Sequence, residues 1–190
     1  MKRGAKVIFV HFHAYPHTNK ESIKKVEKLV KLLNEFQFES KLYLIPFAKI
    51  QKKIMLNAPA KMRVILYRRF MLRIAEIIAK KENASALLTG GNLGQVASQT
   101  IENIRETEAA INLPVFRPLI GFDKQEIIKI AKKINTLEIS NQPDQDCCSR
   151  FVPKHPETRA SIGQAKKAEK ELNIEKLVTS SLKNKEIKNF

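Results

Sequence analysis

One stretch constrains the fold of this chain more than any other: Ala86-Leu87-Leu88-Thr89-Gly90-Gly91-Asn92-Leu93-Gly94-Gln95-Val96-Ala97-Ser98-Gln99-Thr100. A short apolar run leads into a glycine pair, and a helical pattern resumes beyond it. The pattern reads as a buried strand, a tight turn and the start of a helix. In a parallel α/β sheet, ligands bind at the carboxyl ends of strands. Glycine lets the backbone approach a ligand closely, and a helix start offers free N–H groups to an anion. Taken alone, a Thr-Gly-Gly turn is weak evidence, because many strand–helix connections look like this and bind nothing.

The rest of the chain repeats the same alternation. Residues 5–13 (AKVIFVHFH) are β-branched and aromatic without polar alternation, which predicts a strand buried on both faces. From Glu21, the residues Ile23, Val26, Leu29, Val30, Leu33 and Phe36 recur at helical spacing, with Lys24, Lys25, Lys28 and Lys31 on the other face. Residues 41–47 (KLYLIPF) predict a second strand, 48–57 a short basic helix, and 60–82 a long helix carrying Arg63, Arg68, Arg69 and Arg73. A third strand over 84–89 is followed by a helix over 93–111, and a fourth strand occupies 115–119. Asp123 and Glu126 have the spacing of a capping box at the head of a helix running to about Ile134. Residues 141–156 (NQPDQDCCSRFVPKHP) read as a loop, 157–171 and 173–182 as helices, and the end as a frayed basic tail. Strands alternate with helices throughout, which predicts one α/β domain with a parallel sheet.

Charge narrows the class of partner. The formal net charge is +16, and between Lys20 and Lys81 there are 16 Lys and Arg against 5 Glu and no Asp. A concentrated positive field suits a polyanion such as a nucleic acid, and equally describes a solvated lysine-rich surface. Aromatic residues are too sparse for a base-stacking platform. The only cysteines, Cys147 and Cys148, are adjacent. They make no disulfide scaffold and fail the spacing of a zinc knuckle, so a reducing, cytoplasmic setting and no metal are expected. No apolar run has the ~20 residues of a membrane span, and the basic start lacks the long apolar core of a signal peptide.

Four blocks, VHFH, TGGNLGQVASQT, RPLIGFDKQEI and DCCSRFVPKHP, resemble the bacterial and archaeal tRNA sulfurtransferases that make 4-thiouridine, the ThiI family, which also serves thiamine biosynthesis. The resemblance runs in order from Met1 to about Thr158. It implies an adenine-nucleotide α-hydrolase (PP-loop ATP pyrophosphatase) fold, a Rossmann-like parallel sheet. Residues 1–158 would be a partial sulfurtransferase domain, and 159–190 its C-terminal helices and basic tail. In that family ATP, with Mg2+, adenylates O4 of a uridine in tRNA, and a persulfide sulfur then displaces AMP.

Carried over position by position, the resemblance sets His11 and Phe12 along the adenine. Arg68 and Gly90 contact the nucleotide and Gln99 hydrogen-bonds it. Lys124 lies beside the phosphates or the adenylated intermediate, and Cys147 carries the persulfide. For Arg68, contact with tRNA or a surface ion pair is the alternative role. Lys124 stands at a helix start, where a cation is electrostatically disfavoured. Lys154 and Arg150 are near Cys147 in sequence and favour its thiolate. Cys148 reads as a spectator, with a resolving thiol as the alternative, and His155 as a residue packed beside Pro156, with deprotonation of Cys147 as the alternative. The implied partners are tRNA, a cysteine desulfurase as sulfur donor, a sulfur carrier of thiamine synthesis and a second copy in a homodimer.

The sequence departs from the family at one point. The family's catalytic domain opens with a strand and a Ser-Gly-Gly-x-Asp-Ser loop that cradles pyrophosphate. Nothing here matches that loop, the family's N-terminal tRNA-binding domains, or the rhodanese domain of some members. With sheet order 3-2-1-4-5, the absent strand is the central one. The expectation is therefore a truncated, marginally stable form, either a sulfurtransferase part or an inactive fragment that only binds tRNA. A 2-thiouridine enzyme of the same fold is disfavoured, because those use paired, separated cysteines.

Overall fold

The computed structural model describes residues 1–144, 153 and 155–190, and its residues divide into two compact units. The first comprises Met1–Ala48, Asp123–Arg150 and Ser181–Phe190; the second comprises Lys49–Phe122 and Phe151–Ser180.

The first unit is built on β1 (Phe9–His13), α1 (Glu21–Leu33) and β2 (Lys41–Pro46). β1 and β2 are parallel, with Phe9 opposite Leu42 and His13 opposite Pro46. Val30 of α1 meets Leu42 and Leu44 of β2 in a core that Phe9, Ile23, Val26 and Phe190 complete. α5 (Lys124–Lys133) and the short α6 (Leu137–Ser140) follow later in the chain. The predicted capping box is formed: Glu126 N–H donates to Asp123 Oδ1 at 2.8 Å, and Asp123 N–H to Glu126 Oε2 at 2.7 Å. These bonds satisfy the free donors that a helix N-terminus leaves.

Two expectations are corrected in this unit. The end of the chain is a strand, β5 (Glu186–Asn189), which pairs antiparallel with β2. Ser40 and Phe190 close the pairing with reciprocal backbone bonds of 3.1 and 2.9 Å. The sheet is therefore mixed, in the order β1-β2-β5. β2 is also the buried strand, whereas β1 is half-buried along its whole length. The difference follows from position, because among the described residues β1 has β2 as its one sheet neighbour, and β2 is flanked on both sides.

The second unit contains α2 (Ala48–Asn57, all but its first residue), α3 (Arg63–Lys81), β3 (Leu87–Leu88), α4 (Ile101–Glu108), β4 (Val115–Phe116) and α7 (Ile162–Glu169). α8 (Ile174–Lys183) begins in it. β3 and β4 pair in parallel, Leu87 with Val115 and Leu88 with Phe116. Leu72, Ala79 and Leu87 form a core with Ile111, Leu113 and Val115 packed against it. Glu76 of α3 reaches the turn before β4, where its Oε1 accepts Asn112 N–H at 2.7 Å and Leu113 N–H at 2.9 Å. Among the described residues no helix is long and apolar enough to cross a membrane.

Candidate functional site

The turn after β3 differs from its predicted form. No helix starts at Leu93. Residues 89–96 are a loop, followed by a single 3-10 turn (Ala97–Gln99) and then α4. Two residues account for the loop. Gly94 has φ +74°, a left-handed conformation that interrupts a right-handed helix. Asn92 is buried, and its side-chain amide donates to the carbonyl of Leu119 at 3.0 Å and to that of Phe122. Leu93 N–H adds a bond to Ile120 O at 3.1 Å. The chain is thus drawn toward residues 119–122 before it can coil. Thr100 then caps α4, accepting Asn103 N–H at 3.2 Å.

Within this loop Gly90 is exposed, and a side chain there would meet open space within 4 Å. Its neighbour Gly91 is buried, and an added Cβ would lie 3.2 Å from Arg117 Nε. Gln99 is half-buried, and its Oε1 has no hydrogen-bond partner among the described residues. A buried acceptor left unmet is costly, so it is a natural point for a ligand or water to donate. The loop therefore combines an open backbone position, at Gly90, with an unmet acceptor at Gln99.

The second unit also holds Arg68, half-buried on α3. Its neighbour Arg69 is a residue that motif reasoning passed over. Arg69 is 1% exposed and forks onto Glu169, with Nε to Oε1 at 3.0 Å and Nη2 to Oε2 at 2.9 Å. Its Nη1 donates to Glu106 Oε1 at 2.9 Å and to the Glu106 carbonyl at 2.6 Å. Arg73, one helical turn on, forks onto the same Glu169 at 2.5 and 2.9 Å. Two of the four arginines credited to a polyanion surface are thus engaged with carboxylates of their own unit. Burial pushes Glu169 upward, but hydrogen bonds and charge from Arg73 and Arg69 outweigh it and hold the carboxyl below its ordinary value. Glu106 is raised, chiefly by burial, with Arg69 opposing and Glu169 adding to the shift.

The remaining candidates belong to the first unit. His11 and Phe12 are half-buried near the carboxyl end of β1. Successive strand residues face opposite sides, so the two project from different faces of the sheet. The Phe12 ring meets Phe47 edge-on, with centroids 5.5 Å apart. His13 ends the strand; its Nδ1 is buried without a hydrogen-bond partner among the described residues. Burial lowers its pKa, against a smaller opposing pull from Glu186, so the imidazole is neutral at pH 7. Lys124, exposed at the first position of α5, has no ion pair among the described residues. His155 is exposed. The calls on Cys147, Cys148, Arg150 and Lys154 lie outside the described residues. The candidate set is thus divided, with Arg68, Gly90 and Gln99 in one unit and His11, Phe12 and Lys124 in the other.

Known proteins give this geometry a context. The chain is 49% identical over 187 residues to a probable tRNA sulfurtransferase of Thermus thermophilus, covering 98% of this chain and 46% of that protein. A probable tRNA sulfurtransferase of Acetivibrio thermocellus is 46% identical over 186 residues, with 98% and 47% covered. The chain spans about half the length of the curated relatives it matches. Among solved structures, a 4-thiouridine synthetase in complex with RNA and bound ATP superposes with a TM-score of 0.95 at 38% identity, over 100% of this chain and 50% of that one. The family model for the thiamine biosynthesis protein ThiI matches residues 1–174, and the chain belongs to that family.

Proposed function

We propose that this chain is part of the catalytic domain of an ATP-dependent tRNA uracil 4-sulfurtransferase. The observation that carries this reading is the likeness, over the whole chain, to a 4-thiouridine synthetase whose structure holds both RNA and ATP. ATP, accompanied by Mg2+, adenylates O4 of a uridine. The outer sulfur of a persulfide on Cys147 attacks C4 and O4 departs with AMP, leaving the base joined to Cys147 by a disulfide. A second thiol then attacks Cys147 Sγ, the thiolated uridine leaves, and a thiol reductant reopens the disulfide left on Cys147.

In this reading the fold is of the Rossmann-like PP-loop type. The central strand and its Ser-Gly-Gly-x-Asp-Ser loop come from a segment outside this sequence, and residues 159–190 complete the domain. Gly90 lets the nucleotide approach the backbone, and Gln99 uses its unmet Oε1 to accept a hydrogen bond from it. Arg68 adds charge to the nucleotide site. The adenine lies against the strand end at His11 and Phe12, of which one at most presents its side chain, because they face opposite sides. Lys124, with no ion pair among the described residues, stands beside the phosphates or the adenylated uridine. The lysine-rich surface holds the tRNA backbone. A cysteine desulfurase supplies the sulfur, a carrier protein receives it for thiamine synthesis, and the protein works in the cytoplasm as a homodimer.

The test is 4-thiouridine formation in tRNA with ATP and a cysteine desulfurase, for the protein purified from its own cells and for the 190-residue chain alone. Its intact mass establishes whether a phosphate loop precedes Met1. Activity in the purified protein that Cys147→Ala abolishes supports the proposal. Retention of tRNA binding with no thiolation in any preparation favours the inactive-fragment reading, and 2-thiouridine in the product overturns the choice of enzyme.

A further inference from the structure

Asn103 is fully buried, yet its side chain is among the most connected in the second unit. Its Nδ2 donates to Ala97 O at 2.7 Å and to Glu157 O, 54 residues away, also at 2.7 Å. Its Oδ1 accepts Ala160 N–H at 3.1 Å. Thr100, one turn earlier, accepts Asn103 N–H with the same Oγ1 that donates to Thr158 O at 2.7 Å. The start of α4 therefore laces two strips of backbone together. One is the 3-10 turn Ala97–Gln99, and the other is residues 157–160. A second lacing comes from Lys61, whose carbonyl accepts Glu157 N–H at 3.0 Å and whose ammonium pairs with Glu157 Oε2 at 3.0 Å.

The choice of side chains is restrictive. Only an amide of this length donates to two carbonyls and accepts from an N–H at one buried point; aspartate loses both donations, and leucine loses all three bonds. The two strips joined are also not arbitrary. One carries Gln99, with its unmet buried Oε1, and the other is the stretch of chain that follows Cys147 in sequence. A sulfur transfer between a thiol on one segment and a nucleotide-activated base on another depends on holding the two in register.

We propose that Asn103 and Thr100 are positioning residues that keep residues 157–160, which begin ten residues beyond Cys147 in sequence, in register with the turn that carries Gln99. Thr100, whose hydroxyl donates to the Thr158 carbonyl, acts on sulfur transfer and not on adenylation. The inference rests on the function proposed above.

The experiment uses the protein purified from its own cells and measures two rates, tRNA-dependent pyrophosphate release and 4-thiouridine formation. Thr100→Val keeps the shape and removes the hydroxyl at a partly exposed point, so the variant folds. Its 4-thiouridine formation falls at least ~10-fold, the scale of a small misplacement of reacting groups, with pyrophosphate release within ~2-fold of wild type. Thr100→Ser restores transfer. Asn103→Asp, which frees Ala97 O beside Gln99 as well as Glu157 O, lowers both rates and the melting temperature. Equal loss of both rates in folded Thr100→Val, or no loss in either, overturns the proposal. If wild-type protein forms no 4-thiouridine, the functional reading itself fails, and the variants play no part in that result.

Discussion

The two units fasten distant pieces of chain by different means. In the second, the fasteners are buried side chains: Arg69 on Glu106 and Glu169, and Asn103 on the 97 and 157–160 backbones. In the first, the fasteners are backbone pairing and half-buried lysines. β5 lies along β2, Lys188 pairs with Glu27 at 2.7 Å, and Lys25 reaches Asp144 at 2.7 Å and the Ser140 carbonyl at 3.1 Å. The lesson is one of solvent access. A buried charged or amide group is costly to leave unmatched, so removing one partner is severe, whereas water takes over the role of a lost surface partner. Both units hold an end of the stretch around Cys147: Lys25 and Lys28 hold residues 140–144 in the first, and Asn103 and Thr100 hold 157–160 in the second.

The sharpest way to break the contrast is at the buried network. Glu169→Ala takes the shared carboxylate from Arg73 and leaves buried Arg69 with Glu106 alone, and is expected to cost about 3–5 kcal/mol in urea unfolding. A cost below ~1 kcal/mol would mean that water reaches the site and the two units are alike. The next effect is in the first unit. Phe190→Ala removes a half-buried ring from the Val30–Leu42–Leu44 core and is expected to cost roughly 1–2 kcal/mol. No change would mean that β5 only decorates β2.

Acid sharpens the comparison further. Glu169 is held below its ordinary value of 4.5, so its contribution is full above the unfolded pKa and is lost as pH falls through the folded one. Glu106, raised above 4.5, works oppositely, and its penalty grows as pH rises through the folded pKa. Stability measured from pH 6 downward should therefore fall less steeply below about 4.5 in Glu169→Gln than in wild type. Glu106→Gln should leave that acid limb in place. The smallest effect belongs to the surface. Lys24→Ala removes an exposed pair with Glu21 and is expected to cost about 0–1 kcal/mol, and less as salt rises, by the same unfolding measurement at about 0.05 and 0.5 M salt.

What could be read from the residues follows how near their partners lie in sequence. The capping box needs only Asp123 and Glu126, three residues apart, and it is formed as written. The face of α1 follows the helical period, because burial against any core selects such a stripe. α3 does not, since it buries Ile65, Leu66, Tyr67, Arg69 and Phe70 nearly all round while Ile77 is exposed. The family motifs name Gly90 and Gln99 as candidates. They said nothing of Asn92 and Asn103, whose partners are 27 and 54 residues away, and two asparagines in a polar stretch carry no pattern.

By itself, then, the sequence determined the alternation of strands and helices, the helix cap and the family. Tertiary structure alone decided that the chain loops over residues 89–96 instead of coiling, that the basic end becomes β5, and that Arg69 lies in the core. The reason is common to all three. Local propensity is summed over neighbours a few residues apart, and it cannot register a carbonyl, a strand edge or a carboxylate that arrives from a distant part of the chain.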